Sequence, residues 1–133
     1  MKIKVIIEGG GADGYSAYIA DSGAPYGLIG EGHTVEETRQ DFLAAYEEMH
    51  QLQAEEGREA QELEFEFLYD LPSFLRSWAY ALTLAGLSRI TGVNQGQLSH
   101  YINGTSRPGR RTVEKIQAGI SRFAGELAGV RFV

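Results

Sequence analysis

The chain has 133 residues, 43% of them hydrophobic, with 12 Lys and Arg against 18 Asp and Glu, a formal net charge of −6. It has no cysteine, which excludes disulfides and thiolate zinc sites and fits a reducing compartment. No apolar run approaches the roughly 20 residues of a membrane span and no signal peptide is expected ahead of the first strand, so the expected location is cytoplasmic.

In chain order, Ile3, Val5 and Ile7 alternate with Lys2, Lys4 and Glu8, which predicts a half-buried strand. The glycine-rich run Gly9–Gly14 reads as a flexible hairpin turn into a second strand over residues 15–20, and a third strand is predicted over residues 27–32. Thr34-Val35-Glu36-Glu37 is a capping box opening a helix. Val35, Phe42, Tyr46, Met49 and Leu52 recur at helical spacing, widened by Leu43 and Ala45, and Gly57 ends the helix. Leu63 to Phe67 alternates apolar and acidic residues and predicts a further strand. One helix on one face of a small, mostly antiparallel sheet is an α+β arrangement over residues 1–70.

Asp70-Leu71-Pro72-Ser73 reads as a hinge, with Asp70 able to cap a helix and Pro72 suited to its first turn. Residues 71–133 then read as an all-α domain. Phe74, Leu75, Trp78 and Leu82 predict a first helix whose Trp78 lies in the core. Leu84 opens the next helix, where Ser88 gives a small residue for the following helix to cross. Gly92 forms the turn, since only glycine takes positive φ without steric cost. Val93, Leu98 and Tyr101 anchor the second helix of this pair, leaving its polar residues outward. This pattern predicts a DNA-binding helix-turn-helix. The residues assigned to DNA are Asn94, Gln95, Gln97, Ser99 and His100, because amides near such a helix start suit base edges in the major groove. Arg107, Arg110 and Arg111, placed in the loop before the last helix, are assigned to phosphate. That helix is predicted over residues 112–125, burying Val113, Ile116, Ile120 and Phe123. A homodimer or higher homo-oligomer is expected because helix-turn-helix proteins gain specificity by pairing across half-sites about 34 Å apart. Residues 129–133 are read as a short strand pairing with its counterpart in a second subunit, with a frayed end as the alternative.

Charge is distributed in two opposite halves. Residues 1–70 carry four Lys and Arg against sixteen Asp and Glu, and residues 71–133 carry eight against Glu114 and Glu126 alone. A basic arm meets nucleic acid while an acidic arm is held away from it. An ordinary pair of helices with a wet polar face is the bland alternative.

Several features that look chemical have simpler readings. Glu8, Asp13, Asp21 and Asp41 are the candidates for a two-metal nuclease site, which needs converging carboxylates. The Gly9–Gly14 loop lacks the Gly-Lys-Ser/Thr of a phosphate cradle. His33, His50 and His100 have no partner at zinc-ligand spacing. No catalytic residue, metal site or cofactor is therefore expected, and the chain is expected not to be an enzyme.

The N-terminal half resembles the HicB antitoxin family in Val5-Ile6-Ile7-Glu8, the turn ending Asp13-Gly14-Tyr15, Tyr18-Ile19-Ala20-Asp21, and Gly32-His33-Thr34-Val35-Glu36-Glu37. The likeness covers residues 3–70, although Ser22–Gly27 stands where the family usually has a Pro-Gly-Cys-like element. It implies a truncated ribonuclease-H-like domain, here followed by the helix-turn-helix that many members append. It also implies an antitoxin that neutralises a small basic HicA-like ribonuclease toxin by direct binding and represses its own operon at an operator DNA. The alternatives are a transcription factor whose N-terminal domain binds a ligand or oligomerises, with no toxin partner, and a metal-dependent nuclease targeted by its DNA-binding half.

Overall fold

The alternation at the start of the chain fixes the sheet. Ile3, Val5 and Ile7 are buried on one face of strand β1 (Lys2–Gly11), and β2 (Gly14–Ile19) pairs with it antiparallel. Strand β3 (Ile29–Gly32) adds antiparallel to β2, and β4 (Glu64–Tyr69) joins the other side of β1 in parallel. The order is β3-β2-β1-β4, a mixed sheet in which two of the three pairings are antiparallel. The parallel pair follows from the crossover helix α1 (Val35–Glu55), which carries the chain back to the end from which β1 started. With four further helices this is an α+β protein, and the computed structural model describes all 133 residues. It divides into two compact units, Met1–Ser77 and Trp78–Val133. No helix is long and apolar enough to cross a membrane.

In the first unit α1 starts as its sequence requires. The Thr34 hydroxyl accepts from the Glu37 amide at 3.1 Å, and the Glu37 carboxylate accepts from the Thr34 amide at 3.3 Å. Phe42, fully buried, meets Phe65 and Phe67 edge-on with ring centres 5.0 and 5.6 Å apart. Burying one such side chain is worth about 1.5–3 kcal/mol. The Tyr46 hydroxyl accepts from the Leu63 amide at 3.0 Å and so ties the helix to the approach to β4. Leu52, expected on the same stripe, is 48% exposed.

The glycine run departs from expectation. β1 continues through Gly9–Gly11 with a bulge, and only Ala12 and Asp13 form the turn. Partners elsewhere in the chain explain this order. The Gly9 amide donates to the Ser73 hydroxyl at 2.8 Å, and Arg76 donates to the Gly9 carbonyl at 3.1 Å. Both residues lie on helix α2 (Leu71–Ser77), which therefore belongs with the sheet and moves the division of the chain from residue 70 to residue 77. The first helix expected to run on to Leu82 stops at Ser77. Trp78, expected in the core, is 40% exposed and stacks on Tyr80, with ring centres 6.0 Å apart.

The sheet face away from α1 carries an apolar row of its own. Register places Ile29, Tyr18, Ile6 and Leu68 side by side across β3, β2, β1 and β4. None belongs to the α1-side core, and each is half-buried or exposed. Glu31 and Glu8 border the row along one side, and Lys4 and Glu66 lie along the other.

The second unit consists of α3 (Leu84–Thr91), α4 (Gln95–Asn103) and α5 (Arg110–Ala128) around Leu87, Val93, Leu98, Tyr101 and Ile116. The last helix is longer at both ends than predicted, and Val113, expected inside, is 46% exposed. Residues 130–133 form no strand in the single chain.

Candidate nucleic-acid interface

The α3–α4 connection is set by local chemistry. Thr83 caps α3, its hydroxyl accepting from the Gly86 amide at 3.0 Å. The helix stops at Gly92, whose φ of 74° is left-handed and whose amide returns to the Ser88 carbonyl at 2.8 Å. The buried Thr91 hydroxyl donates to the Leu87 carbonyl at 2.7 Å and accepts from the Val93 amide at 3.2 Å, which fixes the chain on both sides of the turn. Asn94 then caps α4, its side-chain oxygen accepting from the Gly96 amide at 2.7 Å.

Helical periodicity does the rest. With Val93, Leu98 and Tyr101 buried, Gln95, Gly96 and Gln97 are exposed on the first turn of α4. His100 is also exposed, and its Nδ1 lies 2.9 Å from the Thr105 hydroxyl, which itself donates to the His100 carbonyl at 3.2 Å. Ser99 is half-buried. Of the five polar residues assigned to DNA from the sequence, Gln95, Gln97 and His100 are exposed, with Gln97 and His100 neighbouring at three-residue spacing, while the Asn94 side chain is engaged as a cap.

The cations sort into two groups that sequence alone does not distinguish. Arg107 and Arg111 are exposed, and neither forms an ion pair. Arg110 pairs with Glu114 at 3.2 Å, a mostly exposed i,i+4 bridge of little energetic consequence. Arg110 and Arg111 are the first residues of α5 rather than loop residues. Cations at that end oppose the helix dipole, at a cost of roughly 0.3–1 kcal/mol each that a bound anion would reverse. None of α3, α4 and α5 has an acidic residue in its first turn. By contrast Lys115 donates to the Gly92 carbonyl at 3.1 Å and Arg122 to the Ile90 carbonyl at 3.0 Å, so these two hold α5 against α3. The sequence reading also missed Gly119, which is buried where α5 meets α3. A Cβ there would lie 2.5 Å from the Ile90 carbonyl oxygen and 2.8 Å from the Thr91 Cα. An isolated glycine inside an amphipathic helix was the available signal.

In the first unit three of the four carboxylates considered for metal, all but Asp13, have other tasks. Glu8 accepts from the Tyr18 hydroxyl, and that bond raises the Tyr18 pKa above its ordinary value, with burial adding to the effect. Asp21 accepts from the Gly23 amide at 2.9 Å, and Asp41 from the Glu31 amide at 2.8 Å. No three His, Cys, Asp or Glu side chains are grouped so as to hold a metal ion. Comparison of the chain with protein-family models, with curated proteins and with solved structures finds no match in any of the three.

Proposed function

We propose that this chain is the antitoxin of a type II toxin–antitoxin pair. Its basic unit binds operator DNA as a homodimer, through α3 and α4 acting as a helix-turn-helix, and represses its own operon. Its acidic unit neutralises a small, basic, HicA-like ribonuclease by direct contact. The observation that carries this reading is the segregation of charge between the two units. The first holds sixteen of the eighteen carboxylates, whereas the second presents Gln95, Gln97 and His100 on one helix with unpaired Arg107 and Arg111 in the same unit. Amides and imidazole read base edges, and guanidinium groups hold phosphate.

Two features support the acidic unit's role. Three antiparallel strands, a helix and a fourth strand parallel to the first fit the truncated ribonuclease-H-like outline that the HicB resemblance implies. The apolar row Ile29–Tyr18–Ile6–Leu68, with Glu31 and Glu8 along one side and Glu66 beside Lys4 along the other, has the character of a protein-binding surface for a cationic partner. Three of the four carboxylates of a nuclease alternative, Glu8, Asp21 and Asp41, are already engaged by a tyrosine hydroxyl and by backbone amides.

The test uses the full chain. It should bind the DNA upstream of its own gene more tightly than a scrambled duplex of equal length, and it should restore growth when co-expressed with the basic product of the neighbouring reading frame. Equal affinity for both duplexes refutes the operator reading, and persistent toxicity with soluble, folded chain refutes the antitoxin reading.

A further inference from the structure

Helix α5 carries two apolar stripes, and the second unit uses only one. Ile116, Gly119 and Phe123 face α3, with Ile116 and Gly119 buried. Val113, Ile120, Ala124 and Leu127 recur at the alternating three- and four-residue steps of a coiled-coil seam, with Gln117 filling the remaining position. At about 100° per residue this second stripe lies roughly a quarter turn round the helix from the first. It faces outward: Val113 is 46% and Leu127 59% exposed, Ala124 is exposed, and Ile120 is half-buried.

The charge pattern along this helix is unusual for a basic unit. Between Lys115 and Arg122 no residue is charged. Those two cations flank the interval, but both are bonded to α3 carbonyls, at Gly92 and Ile90. The outward stripe is therefore a neutral apolar seam. A neutral seam offers nothing to an acidic partner and repels no copy of itself. The unit also buries only five large hydrophobic side chains while leaving more than that exposed, including Phe132 at 94%. A unit with so small a core gains from covering apolar surface.

We propose that the second stripe of α5 is the surface on which two copies of this chain pair, antiparallel, about a twofold axis near Ile120. An isologous contact needs one self-complementary patch, and this stripe supplies it: Val113 meets Leu127 of the other copy, while Ile120 meets its own equivalent. Ala124 and the nearby Gly125 allow close approach. Antiparallel order separates the Arg110–Arg111 ends, which a parallel pair would bring together. It also sets each such end beside the tail of the other copy, apolar at Val130, Phe132 and Val133, whose one cation, Arg131, is turned onto the Ala128 and Val130 carbonyls. In naming a homodimer surface this rests on the DNA-binding reading, but its test is read without DNA, so the two fail separately.

The experiment is sedimentation equilibrium on the full chain and on the Ala124→Glu variant, with helix content checked by circular dichroism. Ala124 is exposed in the single chain, so its replacement leaves the fold intact. Two unpaired carboxylates in an apolar seam should weaken dimerisation by about tenfold or more. The absence of native cysteine permits a second reading of the same geometry. The Ile120→Cys variant should oxidise to a covalent dimer. Val113→Cys should cross-link to Leu127→Cys when the two variants are mixed, and Val113→Cys alone should not. A wild-type chain that stays monomeric at micromolar concentration overturns the proposal. So does unchanged dimerisation of Ala124→Glu, or self-linking of Val113→Cys chains, which would mean parallel order.

Discussion

Gly119 of α5 approaches the Ile90 carbonyl of α3 so closely that a single added methyl would lie 2.5 Å from the oxygen. The same carbonyl accepts from Arg122 at 3.0 Å, so the crossing of these helices has a contact and a hydrogen bond one turn apart. Replacing Gly119 with Ala should destabilise the second unit by about 1–3 kcal/mol through overpacking, despite alanine's better helix propensity. Urea unfolding followed by Trp78 fluorescence would measure this, and unchanged stability would show that the helices can separate at no cost.

Arg107 and Arg122 are both arginines of the basic unit, but their surroundings differ. Arg107→Ala should weaken binding to all duplexes alike and reduce the salt dependence by about one unit of slope. Arg122→Ala should leave that slope unchanged and instead lower stability by roughly 0.5–1.5 kcal/mol, the net worth of a hydrogen bond. Titrations at several salt concentrations, paired with unfolding curves, separate the two. A flattened salt slope for Arg122→Ala would return that residue to the phosphate-binding set.

Gln97→Ala should cost about 1–3 kcal/mol on operator DNA, concentrated at one or two base positions, and should leave toxin neutralisation intact. Equal loss on operator and scrambled duplexes would show that the amide does not read bases. Asn94→Ala should behave differently. Its side chain caps α4, so its loss should cost about 0.5–2 kcal/mol of stability before any effect on DNA is considered.

A fragment ending at Ser77 should fold and neutralise the toxin, and one ending at Asp70 should be distinctly less stable. The longer piece keeps the Ser73 hydroxyl and Arg76 guanidinium that satisfy the amide and carbonyl of Gly9, together with the buried Leu75. Thermal melts of the two fragments would decide this, and equal midpoints would place α2 outside the cooperative unit.

These particulars show which parts of the structure were legible in the sequence. The capping box at Thr34, the alternation of Ile3, Val5 and Ile7, and the Gly92 turn could be read because each rests on residues a few positions apart. The placement of α2 could not, since it depends on Ser73 meeting Gly9 across 64 positions of sequence. The apolar stripe Phe74, Leu75, Trp78 and Leu82 places Trp78 in the core, but the helix that would turn it inward stops at Ser77 and leaves it 40% exposed. In the candidate site, the outward direction of Gln95 and Gln97 followed from helical period. The engagement of Lys115 and Arg122 did not, because a cation's partner here is a carbonyl that carries no residue identity.

The Tyr18 hydroxyl donates to Glu8, and ionising it would remove the donor and place a phenolate beside a carboxylate. Its folded pKa is therefore raised above the ordinary value of 10.0, first by that hydrogen bond and then by burial and the Glu8 charge. A raised folded value means that the native state holds its proton more tightly than the unfolded chain does. The resulting stability is fully present below pH 10.0 and is lost as pH rises past that value through the folded pKa. Tyr69, raised by burial, adds to the loss in the same direction. The first unit should thus lose stability above the ordinary tyrosine range. Tyr18→Phe should be less stable than the parent at neutral pH, for want of the bond to Glu8, but should lose less on going alkaline. Chemical unfolding of both chains on either side of pH 10.0 would measure the difference. Parallel declines in the two would show that Tyr18 does not carry the alkaline sensitivity.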